Sequence, residues 1–383
     1  VPVSLADLLS PAGQDLLARA EALAGGDPLR AAAQLRTAGT PPELASEALT
    51  QAALRLKGRA KFGADADGMY FTRAGLEQAT RASVSARRAA RLAAAGVRSV
   101  ADLGCGIGAD SRAFARAGIT VHAIEADPAT AEIATANTAG LPVTVTCGDA
   151  TEVDLSGYDA VFCDPARRSG NRRIFDPKAY SPPWDFIVSL TTRPAVIKLG
   201  PGIDHALLPA TAEAEWVSVG GEVVEAALWC DRLAEVPRRA TVDELQMTGA
   251  GDREAEVGEV GRYVYDPDGA VIRAHLVAEL ADELGARIAD PTIAYLYADE
   301  LRATPFARGY TVEEVLPFSL KRLRAALRER EVGRLTIKKR GSALEPESLR
   351  RQLRLSGSQE ATVILTRVAG APVALITQPA PAA

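Results

Sequence analysis

From Val97 onward the chain alternates short apolar runs with helical stretches, and this rhythm limits its fold more than any other feature. The runs "VRSVADL", "TVHAIEA" and "VTVTCGD" are separated by stretches of helical character that open at Asp110 and Pro128, and "DAVFCDP" and "PAVIKLG" follow. Strands spaced by about ten to fifteen helical residues make βαβ units, in which the strands lie parallel and helices cover the sheet. "AEWVSVG" and "VVEAALWC", joined by "GGE", read as a closing antiparallel pair. Residues 76–235 are therefore expected to form an α/β domain around a seven-stranded sheet.

At 383 residues the chain is too long for one ordinary core. Residues 1–75 carry Leu and Ala at helical spacing, broken at "AGGDP" and "AGTPPE", and read as a helical N-terminal region; a further helix is expected from about Leu76 to Ala95. Residues 236–284 read as a connecting segment. Residues 285–383 read as an α+β unit, with "PTIAYLYAD" and "GRLTIKKRG" as strands, "PFSLKRLRAALRER" and "PESLRRQLR" as helices, and "ATVILTRVAGAPVALIT" as a hairpin. No apolar run approaches the roughly 20 residues needed to span a bilayer. The N-terminal stretch has no basic segment ahead of its apolar residues, so the expectation is a cytoplasmic protein with no membrane partner. Four cysteines without C-x-x-C spacing and only three histidines argue against a metal site and for buried free thiols.

The first strand runs into "DLGCGIG", a turn with glycines at 104, 106 and 108 that lets backbone pass close to a ligand, because no Cβ intervenes. A strand, a glycine turn and a helix opening near Asp110 make a nucleotide cradle, and taken alone they fit NAD or S-adenosylmethionine equally. Three further residues separate the two. Asp102 stands two residues before Gly104, where an acid suits a cationic amino-acid end better than a pyrophosphate. Glu125 ends the next strand, 21 residues after Gly104, where a carboxylate can accept both ribose hydroxyls. "CGDA" follows the third strand, so Asp149 can take an adenine amine and the Ala150 N–H a ring nitrogen. This set favours S-adenosylmethionine as the cofactor.

"VADLGCGIGADSRAFA", "VHAIEADP", "VTCGDA" and "YDAVFCDPAR" together resemble motifs one to four of the class I S-adenosylmethionine-dependent methyltransferases. The resemblance implies a Rossmann-like methyltransferase sheet and methyl-transfer activity. "FGADADGMYFTRAGLEQAT" is similar to the segment ahead of the catalytic domain in trimethylguanosine-synthase-like enzymes, where such aromatics cover the cofactor. "LPFSLKRLRAALRE", "LTIKKRG" and "ATVILTR" resemble the THUMP-like domain of a bacterial branch of these enzymes, which implies an RNA partner.

Methyl transfer from a sulfonium releases a neutral thioether, so the enzyme mainly aligns the nucleophile and excludes water. Asp164, with Pro165 after it, is the candidate catalytic pair: a carboxylate at the end of the fourth strand can orient an amine. Nucleic-acid amine methyltransferases commonly follow such an Asp or Asn with two prolines and an aromatic, whereas this chain has Ala166 and Arg167 in the last two places. Stacking on a base must then come from elsewhere, with Phe62, Tyr70, Phe71, Phe175 and Trp184 as candidates. Arg167 and Arg168 are candidates for phosphate. Between Phe318 and Arg354 lie twelve Lys or Arg against four Glu, a local charge of +8 in a chain of net charge −5. Lys321, Arg324 and Arg328 share a helix face there, and Lys338, Lys339 and Arg340 extend the basic patch, which fits contact with a phosphate backbone. The expected function is methylation of an exocyclic base amine of RNA, the basic unit docking the RNA; the alternative is a small-molecule methyltransferase whose C-terminal unit binds protein.

Overall fold

The computed structural model describes residues 5–37, 39–167 and 180–381. The chain divides into two compact units, Val1–Leu199 with Leu228–Ala234, and Gly200–Ala227 with Glu235–Ala383.

The first unit opens with helices α1 (Leu5–Leu9), α2 (Pro11–Leu23), α3 (Pro28–Thr37) and α4 (Pro42–Phe62). Ser10 starts α2 by accepting the Gly13 N–H on its hydroxyl. Leu8, Leu16, Leu17, Leu35, Ala48 and Ala52 close a core between these helices. The helix expected from Leu76 to Ala95 is instead two, α5 (Arg73–Gln78) and α6 (Ala82–Ala94). The physical reason is local: the Lys61 ammonium takes the carbonyls of Leu76, Glu77 and Ala79, which ends α5.

Strands β1 (Ser99–Leu103), β2 (Thr120–Glu125), β3 (Val143–Cys147) and β4 (Ala160–Cys163) then alternate with helices α7 (Ala109–Arg116) and α8 (Pro128–Asn137). After β4 come the two-residue strands β5 (Ala166–Arg167) and β6 (Tyr180–Ser181), helix α9 (Trp184–Ser189) and strand β7 (Ala195–Leu199). The main strands stand in the order β7-β4-β1-β2-β3, every neighbouring pair parallel. The residues of β4 are all buried, as a strand covered on both faces must be.

The second unit holds β8 (Glu213–Val219) and most of β9 (Glu222–Cys230), whose last three residues count with the first unit. Two further strands carry the sheet past the seven expected: β10 (Arg238–Val242) runs parallel to β8, and β11 (Leu245–Gly249) returns antiparallel to β10. Beyond them lie β12 (Tyr263–Pro267), α10 (Gly269–Arg273), α11 (Val277–Leu284), β13 (Arg287–Ile288), β14 (Leu296–Ala298), β15 (Ala307–Pro317), α12 (Leu320–Glu329), β16 (Val332–Lys339), α13 (Pro346–Leu353), β17 (Gln359–Val368) and β18 (Ala371–Pro379). A seven-stranded sheet of order β13-β14-β12-β15-β18-β17-β16 binds them together. Because β12 sits inside this sheet, residues 236–284, read from the sequence as a connector, are folded structure. Helices α12 and α13 bury Leu323, Leu327, Leu349 and Leu353 against β16, β17 and β18.

Candidate active site

The strand order reverses at β1, with β2 on one side and β4 on the other. In an open parallel sheet the crevice beyond the carboxyl ends of two such strands is the usual ligand site. "DLGCGIG" leaves β1 and "DPAR" leaves β4 at this point, Leu103 standing in register with Cys163. The turn is pinned by the Gly104 and Cys105 N–H groups, which both donate to the Ile124 carbonyl. Gly104 has φ +81°, and a Cβ there would lie 3.0 Å from the Asp164 carbonyl oxygen, so the two motifs meet only because residue 104 is glycine. At Gly106, φ +55°, an added Cβ would meet nothing within 4 Å, which leaves the backbone open to a ligand.

Asp102 ends beneath this turn with no exposed surface. Its Oδ2 accepts the Ser111 hydroxyl, while Oδ1 is buried without a hydrogen-bond partner. Burial pushes the carboxyl up to about 8; the Ser111 hydroxyl opposes the shift and the charges of Asp110 and Asp164 add to it. A cation brought to the turn would relieve this, so the acid fits a ligand with a positively charged tail. Glu125 is half-buried and accepts the Gly106 N–H on Oε2 at 2.9 Å and the Asp127 N–H on Oε1 at 3.0 Å. A carboxylate has about four acceptor positions, so two remain for a pair of ribose hydroxyls. Asp149 is exposed after β3, its Oδ1 accepting both the N–H and the hydroxyl of Thr151, and Ala150 is buried beside it.

Asp164 lies half-buried past β4, and its Oδ2 takes the Lys198 ammonium at 2.6 Å. Lys198, on β7, is the partner of this candidate residue that the sequence reading missed; a lone cation in the apolar run "AVIKL" was its only signal. Burial first, and then the charges of Lys198 and Arg81, hold the Lys61 ammonium below its ordinary value. Pro165 is buried, and Ala166 and Arg167 pair with Ser181 and Tyr180 in a small antiparallel ribbon. Trp184 follows it, its ring 5.6 Å from that of Tyr180. Arg168, the other arginine proposed for phosphate, and Phe175 lie outside the described residues. Cys163 is fully buried and its thiol is pushed up by that burial, so it is core.

Phe71, expected as a base platform, is corrected by its burial: it is 1% exposed and packs on Phe62 at 5.7 Å between ring centres. Its backbone is clamped as well, since Gln51 exchanges hydrogen bonds with both its N–H and its carbonyl. Asn137 does the same for Tyr70 and also donates to the Ile107 carbonyl at 2.8 Å, tying this segment to the glycine turn. Deeper still, Arg88 pairs with Asp110, which also accepts the Thr80 hydroxyl at 2.7 Å. These buried polar ties were not legible beforehand, because each joins residues far apart in the chain.

In the second unit, Lys338, Lys339 and Arg340 each stand beside an acid. Lys338 and Arg340 share the two oxygens of Asp266, at 2.7 and 2.8 Å, and Lys339 pairs with Glu345 at 2.7 Å. Two carboxylates thus face three cations, which leaves a single net positive charge on this cluster. Among the described residues no group of three or more His, Cys, Asp or Glu is placed to hold a metal ion, and no helix is long and apolar enough to cross a membrane.

Comparison with known proteins agrees with this geometry. Family patterns described as "Methyltransferase domain", "THUMP domain-like" and a domain of unknown function match residues 100–169, 307–379 and 2–58. Two curated relatives, described as uncharacterised S-adenosylmethionine-dependent methyltransferases of two Mycobacterium tuberculosis strains, are each 36% identical over 316 residues, covering 80% of this chain and 87% of their own. The crystal structure of a Porphyromonas gingivalis W83 protein described as a methyltransferase covers 100% of both chains at a TM-score of 0.78 and 23% identity, and is similar in fold.

Proposed function

Because the chain belongs to the S-adenosylmethionine-dependent methyltransferases, we propose that it methylates an exocyclic base amine of RNA at the carboxyl ends of β1 and β4. S-adenosylmethionine is its cofactor, and when bound supplies an electrophilic methyl group on a cationic sulfur. The residues that would hold it are Asp102 toward the cationic amino-acid end, Glu125 at the ribose, Asp149 and Ala150 at the adenine, and the backbone of Gly104, Gly106 and Gly108 along its edge. The orphaned, fully buried Oδ1 of Asp102 supports that fit.

Asp164 carries the reading. Lys198 holds its Oδ2, so Oδ1 is left to accept a hydrogen bond from an amine and turn the nitrogen lone pair toward the methyl. Its carbonyl backs onto Gly104, close enough that a Cβ at position 104 would crowd it. Pro165 stiffens the loop, and Trp184 is the aromatic left, among the described residues, to stack on a base. The THUMP-like match supports an RNA partner. Two observations favour a small-molecule acceptor as the second reading: Phe71 is buried, and Lys338, Lys339 and Arg340 are paired with acids.

The test incubates the purified protein with methyl-labelled S-adenosylmethionine and total cellular RNA. Label in RNA is expected, and label only in a small-molecule extract would move the reading to the alternative. Asp164→Ala should cut transfer by about 100-fold or more while leaving the Kd for S-adenosylhomocysteine unchanged. Unchanged turnover would remove Asp164 from the chemistry.

A further inference from the structure

The basic segment of the second unit separates into two populations. Of its twelve cations, Arg330, Arg334, Lys338, Lys339, Arg340 and Arg350 each pair with a carboxylate. Lys321, Arg322, Arg324, Arg328, Arg351 and Arg354 pair with none among the described residues. Four of these six, Arg324, Arg328, Arg351 and Arg354, line one groove of about 680 Å³ between α12 and α13, together with Ser348 and Gln352.

The placement follows from helix geometry. Arg324 and Arg328 stand four residues apart on α12 and share a helix face, while Arg351 lies in the last turn of α13 and Arg354 just past its end. Leu323, Leu327, Leu349 and Leu353 take other faces of the two helices into the core, while Leu320 lines the groove with the arginines. Arg324 donates to the Gln352 carbonyl at 2.7 Å and Arg328 to the Arg354 carbonyl at 3.3 Å, which fixes two guanidinium groups at the groove wall. Each has five N–H donors, so most of their capacity is unspent, and the Arg324 Nε–H is buried with no partner. Four guanidinium groups, two of them held in place, with no acid among them make a poor surface for stability and a good one for phosphate, whose oxygens match the planar fork.

We infer that the α12–α13 groove binds the phosphodiester backbone of RNA through Arg324, Arg328, Arg351 and Arg354, in place of the strand residues Lys338, Lys339 and Arg340. This rests on the RNA reading above and moves the docking site within the second unit. Neutral partners in the groove, Ser348 and Gln352, add hydrogen bonds without base readout, so binding depends on charge and little on sequence.

The test measures binding of a fluorescein-labelled RNA oligonucleotide of mixed sequence across a salt series, using the full chain. The groove variant is Arg351→Gln with Arg354→Asn. Both side chains are exposed, and Asn tolerates the left-handed φ of +50° at position 354. The control, Arg322→Gln with Arg334→Gln, removes the same charge from exposed positions outside the groove. For a single strand, log K falls against log salt with a slope of about −0.7 per phosphate neutralised. The groove variant should therefore flatten that slope by about 1.4 and weaken binding about tenfold or more at moderate salt, with the control changed less than about twofold. Equal weakening in both variants, weakening in neither, or retention of inorganic phosphate or polyglutamate without RNA would each overturn the assignment. Methyl transfer to RNA is followed in parallel. Label in RNA with an unchanged slope defeats the groove and keeps the RNA reading; a flattened slope with no label in RNA keeps the groove and defeats the transfer reading.

Discussion

The glycine turn of the first unit and the basic segment of the second are both dense in charge, yet they dispose of it in opposite ways. At the turn nearly every ionised group is answered inside the fold: Arg88 by Asp110, Lys198 by Asp164, Glu125 by two backbone N–H groups. One carboxyl oxygen, on Asp102, stays buried without a hydrogen-bond partner. In the basic segment the strand residues are answered by Asp266 and Glu345, while the arginines of two helices face one groove without an acid. Clustered cations without an acid mark a place for an anion better than abundance of charge does, because like charges gathered together repel and folding alone gives no reason to gather them.

Breaking an answered pair at the turn should have the largest effect. Arg88→Met leaves Asp110, itself buried, with only a hydroxyl partner, and should lower stability by about 3–5 kcal/mol in urea denaturation. A change below about 1 kcal/mol would mean that the pair contributes little and would blur the contrast between the regions. An intermediate effect is expected at the unanswered acid. The Asp102 carboxyl is raised from its ordinary 3.8 to about 8, so between those values the folded chain keeps a proton that the unfolded chain has released. Its contribution to stability is whole below about pH 4 and is lost as pH rises through about 8. Asp102→Asn should flatten the fall in urea midpoint across that window; an equal fall in both proteins would place the titration elsewhere. The smallest effect belongs to the answered strand cations. Lys338→Gln should cost about 1 kcal/mol or less and leave the salt dependence of RNA binding unchanged, and a flattened slope would return docking to the strand.

Reading the residues in order located the turn, its three glycines, Asp102, Glu125, Asp149 and Asp164 at or just past the carboxyl ends of β1 to β4, where position along the chain fixes position in space. Lys198 escaped that reading although it touches Asp164, since the contact crosses from β4 to β7. Arg88, Gln51 and Asn137 escaped it for the same reason: each acts on a segment between about 20 and 70 residues away. Phe71 was misjudged because an aromatic in a turn-rich segment looks the same in sequence whether it faces a ligand or the core.

What the sequence determined by itself was the alternation of strand and helix, the parallel sheet, the glycine turn and the family, because these depend on periodicity and on consecutive backbone residues. Which charges are spent was decided only by the tertiary structure. Lys338 and Arg324 are equally basic on paper, but β12 brings Asp266 to the first, and α13 brings only backbone carbonyls to the second. Pairing is a property of distance between remote residues, and distance exists only once the chain has folded.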